Sequence, residues 1–300
     1  MDNIQIIRER YLRYLKLERN YSANTLSAYA FDMDDYLEWL SSEGLDLLSV
    51  RMDDVEHYAT FVREQGKGAS TLARRLSGLR SLYHYLLIDN YIDVDPTVLL
   101  ESPVLGEHLP EVLTTAEVDK IKAAIDVSAW EGQRNRTIIE VLFSCGLRVS
   151  ELVNLRLSNL YLNEHFLRVI GKGSKERLVP ISESAIHELD LWFYDRNTMH
   201  IQAGEEDYVF LNRRGAHLTR TMILIMIKRA AAAAGIRKTI SPHTFRHSFA
   251  TELLKGGADL RAIQVMLGHE NIRTTEIYMH MDTTQLRDEI LQHHPRNIRQ

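Results

Sequence analysis

The sequence predicts a mainly α-helical protein with one small antiparallel β-sheet, built as two domains. Apolar residues recur at helical spacing through most of the 300 residues. β-forming residues gather around a glycine-rich tip mainly at 165–181. Three of the six prolines fall within positions 96–110, which indicates a break between domains. We therefore expect a helical domain over 1–100, a linker over 101–113 and a second domain over 114–300.

The first domain contains two long amphipathic segments. One follows a cap at Ser22 or Asn24 and stops before Gly44. The other runs over 70–90, with leucines on one face. Small hydroxyl and basic side chains lie on its opposite face, and they suit either a solvated surface or close approach to a phosphate backbone. This polar face comprises Ser70, Arg74, Ser77, Ser81 and His84.

The second domain should begin with a helix, because Thr114 and the glutamate three residues later form a capping box. Gly146 should end the next helix. Apolar β-forming segments at 166–170 and 176–181 flank a basic, glycine-rich turn at 171–175, which predicts a β-hairpin. A third short strand is expected at 208–211.

The last third of the chain reads as helices again. Ser241 and the proline after it suit the first positions of a helix. Gly268 suits a helix end. Positions 282–292 carry one apolar stripe, and a helix this short must bury that stripe against a neighbouring subunit or, alternatively, against its own domain.

Composition excludes several classes of protein. With 45% hydrophobic and 26% charged residues, the chain has the balance of a folded globular protein. Its apolar runs are shorter than the roughly 18 to 20 residues of a membrane helix, and the N-terminus does not have the pattern of a signal peptide. The single Cys145 agrees with a reducing compartment. We therefore expect a cytoplasmic location.

The charge distribution indicates an anionic partner more clearly than the net charge does. The net charge is −5. Residues 213–261, however, contain ten lysines and arginines and only two acidic residues. Such a concentration of positive charge suits either a solvated helix face or a surface that binds phosphates.

Four stretches of the second domain place polar residues where a core does not need them. Arg148, at the start of a helix, can pair with Glu151 or bind an anionic ligand. His243 and Arg246 are spaced i, i+3, so both can face one anion. His243 and His247 also have the spacing of a helical metal pair, although a neighbouring arginine would repel a cation.

The remaining polar positions have simpler alternatives as well. Taken singly, His269 could cap a loop and Tyr278 could be a core tyrosine. The segment 171–175 does not have the spacing of a P-loop, and the chain shows neither a nucleotide signature nor an acidic metal cluster. No metal or other cofactor is expected.

Together these motifs resemble the catalytic set of the tyrosine recombinases, the phage integrase family. The residues that carry the resemblance are Arg148 in GLRVSEL, Lys172 in GKGSKERLVP, His243 and Arg246 in PHTFRHSFAT, His269 in LGHENI and Tyr278 in TTEIYMH. Their order and spacing agree with the family. Helix LSGLRSLYHYLL and the closing HHPR are similar to the Xer subgroup.

The resemblance implies a function and a set of partners. Residues 1–100 resemble the helical core-binding, SAM-like DNA-binding domain, and 114–300 resemble the catalytic domain with a C-terminal docking tail. The resemblance implies that this tail docks on a neighbouring subunit. The implied activity is site-specific recombination through a 3′-phosphotyrosyl intermediate with Tyr278 as nucleophile, and the implied role is resolution of chromosome dimers. Implied partners are double-stranded DNA with inverted half-sites, a homo- or hetero-tetramer with a second Xer-type recombinase, and a DNA translocase that activates it.

We expect further DNA contacts outside the catalytic set. They are Arg74, Ser77 and Ser81 on the first domain, Lys175 in the basic turn and Arg220 in the basic segment. Three other functions fit part of the sequence. They are an integrase or excisionase of a mobile element with the same chemistry, a catalytically idle DNA-binding accessory protein, and a metal-dependent nuclease that uses His243 and His247.

Overall fold

A computed structural model describes residues 4–100, 111–171, 175–268 and 283–297. The chain divides into two compact units, Met1–His108 and Leu109–Gln300. Within the described ranges, no helix is both long and apolar enough to cross a membrane. The described residues are mainly helical with one small antiparallel sheet, so the predicted fold class is confirmed.

The described part of the first unit forms four helices. They are α1 (Ile4–Leu17), α2 (Ala23–Glu43), α3 (Met52–Glu64) and α4 (Ala69–Ile88). Helix α2 has the predicted caps, because the Ser22 side chain accepts from a backbone N–H and Gly44 adopts a left-handed φ of 68°. Buried aromatic rings hold the helices together, and the hydroxyls of Tyr36 and Tyr83 lie 2.8 Å apart.

The second unit begins with three helices that lead to the sheet. They are α5 (Thr115–Ala123), α6 (Gly132–Cys145) and α7 (Val149–Val153). The predicted capping box at Thr114 is present. Helix α6 is buried along most of its length and forms the centre of this unit's core. Because its end is fixed in the core, the turn that carries Arg148 has a defined position.

The sheet has three antiparallel strands in the order β1 (Leu160–Tyr161), β2 (Phe166–Ile170) and β3 (Glu176–Pro180). The hairpin of β2 and β3 is as predicted. The prediction of the third strand at 208–211 is wrong. Tyr208 and Leu211 make only isolated bridges, since a tight turn in which Asn212 N donates to Ala216 O at 2.7 Å reverses the chain.

Five helices complete the described part of the second unit. They are α8 (Glu183–Arg196), α9 (Arg220–Ala233), α10 (Pro242–Gly256), α11 (Leu260–Leu267) and α12 (Thr283–His293). Ser241 caps α10 and Gly268 ends α11 in a left-handed conformation, as the sequence predicts.

The C-terminal segment packs against its own unit. Leu286 and Ile290 of α12 are buried beside α10 and α11. The His294 ring lies 5.4 Å from the Phe143 ring, and Arg296 Nε lies 2.9 Å from the buried Glu140. This is the arrangement that the sequence had left as the alternative to docking on a neighbouring subunit.

Candidate active site

Three arginines from three separate elements surround the C-terminal end of α11. Arg148 lies at the start of α7, Arg177 on β3 and Arg246 on α10. Each donates a hydrogen bond to one of three consecutive backbone carbonyls at residues 266–268. A helix C-terminus leaves its last carbonyls without helical partners and carries partial negative charge. The three guanidiniums therefore provide hydrogen-bond donors for the backbone carbonyls immediately before residue 269.

Arg148 occupies the N-cap of α7, two residues after the left-handed Gly146 that ends α6. Its Nη1 donates to Glu151 Oε1 at 2.9 Å and its Nη2 to the carbonyl of Gly268 at 3.0 Å. The side chain remains 36% exposed. Arg148 therefore forms the ion pair with Glu151 that the sequence allowed, and part of its side chain is still accessible.

Arg246 is more deeply placed on α10. Its Nη1 donates to the Gly146 carbonyl at 2.8 Å, and its Nη2 donates to the Leu267 carbonyl. Burial, with the repulsion from Arg148 as a second cause, lowers the pKa of Arg246 to about 10. The group stays charged at neutral pH, and a nearby anion would stabilise that charge.

Arg177 and Glu151 belong to this site, and the sequence interpretation missed both as functional residues. Arg177 is 6% exposed and binds the Glu151 carboxylate through two hydrogen bonds of 2.7 and 2.9 Å. Burial raises the pKa of Glu151, but the hydrogen bonds and charge of Arg177, together with bonds from Arg148, bring it below its usual value. The sequence signal that could have indicated Arg177 is its positive charge within the β-forming segment 176–180.

His243 lies on the first turn of α10 and its side chain is exposed, one turn before Arg246. This position agrees with its predicted contact to an anionic ligand from the solvent side. Lys172, His269 and Tyr278 lie outside the described residues. Their roles remain predictions.

The additional DNA contacts predicted from the sequence lie on the surface. Arg74 and Ser77 are exposed on α4, and Arg74 also pairs with the buried Asp32. Ser77 and Ser81 line a pocket in the first unit together with Arg80, three tyrosines and other polar groups. Hydroxyl and guanidinium donors of this kind suit phosphate oxygens.

The two predicted contacts in the second unit are also exposed. Lys175 directly precedes β3, and its carbonyl accepts from Gly171 N at 2.8 Å. Arg220 starts α9, whose N-cap is Thr219.

Metal ligands do not cluster in the described ranges. Residues 4–100, 111–171, 175–268 and 283–297 contain no group of three or more histidine, cysteine or acidic side chains that could hold a metal ion. His243 and His247, the pair considered for a metal, both have exposed side chains on α10. Arg246 lies between them in the sequence.

The chain has extensive similarity to proteins of known family. Residues 111–285 match the Phage integrase family, and residues 9–89 match the N-terminal SAM-like domain of phage integrases. Tyrosine recombinase XerD of Pseudomonas aeruginosa is 43% identical over 288 residues, which cover 96% of this chain and 97% of that protein. Tyrosine recombinase XerD of Listeria monocytogenes is 40% identical, over 96% of this chain and 98% of that protein.

Solved structures agree with this similarity. The XerH site-specific recombinase, in a post-cleavage complex with a palindromic difH substrate, has a TM-score of 0.71 at 25% identity. The match covers 95% of this chain and 84% of that chain. A λ integrase dimer bound to a core site has a TM-score of 0.69 at 18% identity, over 89% of this chain and 95% of that chain, which shows a shared fold.

Proposed function

The chain belongs to the phage integrase family and is a site-specific tyrosine recombinase; from this premise we propose that it cuts and rejoins DNA with Tyr278 as nucleophile and Arg148 and Arg246 as the ligands of the scissile phosphate. The observation that carries the proposal is the convergence of these two guanidiniums on the carbonyls of residues 267 and 268. Guanidiniums can each give paired hydrogen bonds to phosphate oxygens.

The proposed reaction transfers a DNA phosphodiester to a phenol. The Tyr278 oxygen attacks the phosphorus, the bond from phosphorus to the 5′ oxygen breaks, and a 3′-phosphotyrosyl bond forms. A free phenol has a pKa near 10, so ionising it at pH 7 costs about 4 kcal/mol. Two positive charges beside the phosphate offset part of this cost in the transition state.

Proton transfers complete the proposed step. His243 accepts the tyrosine proton, His269 donates a hydrogen bond to the phosphate, and Lys172 protonates the leaving 5′ oxygen. The phosphotyrosyl bond retains the energy of the diester. A 5′ hydroxyl of a second strand can therefore reverse the reaction without ATP or a metal ion.

A nicked suicide duplex tests the assignment of the nucleophile. The expected result is that Tyr278→Phe abolishes covalent linkage to DNA and leaves duplex affinity within a few-fold, because phosphate contacts dominate binding. Tyr194→Phe is the matched control, since this tyrosine is 78% exposed on α8. Covalent product from the Tyr278→Phe variant would contradict the proposal, and loss of product in the control would show that the assay reports something else.

The proposed role is resolution of chromosome dimers by a tetramer assembled on inverted half-sites, with a second recombinase and an activating DNA translocase as partners. Full-length similarity to XerD proteins supports this role, as does the palindromic substrate of the XerH complex. Sequencing the genomic DNA covalently trapped on the protein would test it. A single palindromic chromosomal site is expected, whereas scattered element ends would favour an integrase of a mobile element.

A further inference from the structure

The proposed mechanism assigns no role to Arg177, a buried charged group of this site. All three nitrogens of its guanidinium donate within the protein, Nη1 and Nη2 to Glu151 and Nε to the Met266 carbonyl at 2.9 Å. With 6% of the side chain exposed, it is poorly placed to bind DNA directly. A buried arginine is retained at a cost of desolvation, so its partners indicate what it does.

One of those partners, Glu151, also binds Arg148, which is a proposed ligand of the scissile phosphate. Glu151 Oε1 accepts from both Arg177, at 2.7 Å, and Arg148, at 2.9 Å. Without Arg177, the carboxylate would form a neutral pair with Arg148 alone. With Arg177 present, two positive charges share one negative charge, and the group keeps a net charge of about +1.

The same side chain also contacts the end of α11. A Cβ atom added at Gly268 would lie 3.2 Å from Arg177 Cδ, which shows how closely the arginine lies against this residue. Arg148 donates to the carbonyl of the same Gly268. Arg177 is therefore in contact with both structures that hold the Arg148 guanidinium in place.

We propose that Arg177 is a positioning residue that neutralises Glu151 and so keeps the charge of Arg148 available to the scissile phosphate. The inference rests on the proposed function, because it assumes that Arg148 binds that phosphate. It assigns Arg177 no contact with DNA. Loss of Arg177 should therefore slow cleavage and leave duplex affinity nearly unchanged.

A charge-compensating pair of variants tests this role. Single-turnover cleavage of a nicked suicide duplex should fall about 100-fold in Arg177→Met, while the dissociation constant for the duplex stays within three-fold. In Glu151→Gln/Arg177→Met the carboxylate is gone, so cleavage should recover at least ten-fold relative to the single variant. A purely structural role would make the double variant as slow as the single variant or slower.

Arg168→Met is the matched control, because Arg168 lies on the adjacent strand β2 and donates to Asn159 at 2.9 Å. A loss in Arg177→Met no larger than in this control, or a double variant no faster than Arg177→Met, overturns the proposal. If Arg177→Met does not fold, the double variant decides: cleavage within ten-fold of the wild type supports the role, and a larger loss refutes it. Absence of covalent product from the wild-type protein would instead refute the proposed function.

Discussion

Gly146 affects both the stability of the second unit and the position of Arg246. Replacing it with alanine tests both effects. The residue ends α6 with a left-handed φ of 58°, and its carbonyl accepts from Arg246 Nη1 at 2.8 Å. An added Cβ would lie only 2.4 Å from Cδ1 of the fully buried Phe249. Gly146→Ala must therefore displace this ring or shift the turn.

A second glycine separates the two costs. Gly235 also has a left-handed φ, of 69°, but an added Cβ there would meet no atom within 4 Å. Gly235→Ala should lose about 1 kcal/mol of unfolding free energy from the backbone conformation alone. Gly146→Ala should lose the same amount plus about 1–3 kcal/mol for overpacking against Phe249. In a unit of this size that difference corresponds to roughly 2–12 °C in melting temperature.

Calorimetry of the full chain and single-turnover cleavage of a nicked duplex measure the two effects. Gly146→Ala should melt below Gly235→Ala and should cleave at least ten-fold more slowly, because the carbonyl that holds Arg246 has moved. Gly235→Ala should cleave at the wild-type rate. Equal melting temperatures and equal rates for the two variants would refute the reasoning that the Gly146 turn positions Arg246.

Four further predictions follow from the site and the charge distribution. Arg148→Ala and Arg246→Ala should each slow single-turnover cleavage by roughly two orders of magnitude, as expected for donors to a transition state. An active double variant would show that other residues bind the scissile phosphate. Cleavage should persist in excess EDTA, and a loss restored by zinc or magnesium would revive the nuclease interpretation. Titration of duplex affinity against salt should give a slope that grows by about 0.9 per phosphate contact, whereas a flat response would contradict a DNA-binding role for 213–261. Burial lowers the pKa of His294 to about 3, so below pH 6.5 the unfolded chain binds a proton that the folded chain does not, and stability should fall by up to about 1.4 kcal/mol per pH unit. Denaturant titrations between pH 4 and 7 should show this fall in the wild type and a smaller one in His294→Gln.

Local signals predicted most elements of the fold correctly. The caps at Ser22, Thr114 and Ser241 and the stops at Gly44 and Gly268 act through backbone hydrogen bonds to nearby residues, so short windows of sequence reveal them. The third strand could not be identified in this way. Its pairing depends on a turn that brings 160–161 beside β2, and β-forming composition at 208–211 does not determine that pairing.

Long-range contacts account for what the sequence could not give at the C-terminus. The apolar stripe of α12 is visible in the sequence, but the surface that covers it is not. In the structure, Leu286 and Ile290 pack beside α10 and α11, and Arg296 pairs with Glu140, more than 150 positions earlier. These contacts also stabilise the second unit. Any truncation before α12 therefore removes part of this unit's core packing as well as a candidate contact between subunits.

The charge balance around Glu151 shows that the two roles considered for Arg148 in the sequence are compatible. An ion pair and a phosphate ligand look like alternatives when one arginine and one glutamate are considered alone. In the structure, three guanidiniums, those of Arg148, Arg177 and Arg246, surround the same helix end, and Glu151 contacts the first two. One carboxylate cannot neutralise three positive charges, so among the described residues the Glu151 pair can orient Arg148 while this cluster keeps a net positive charge, as binding of a phosphodiester would require.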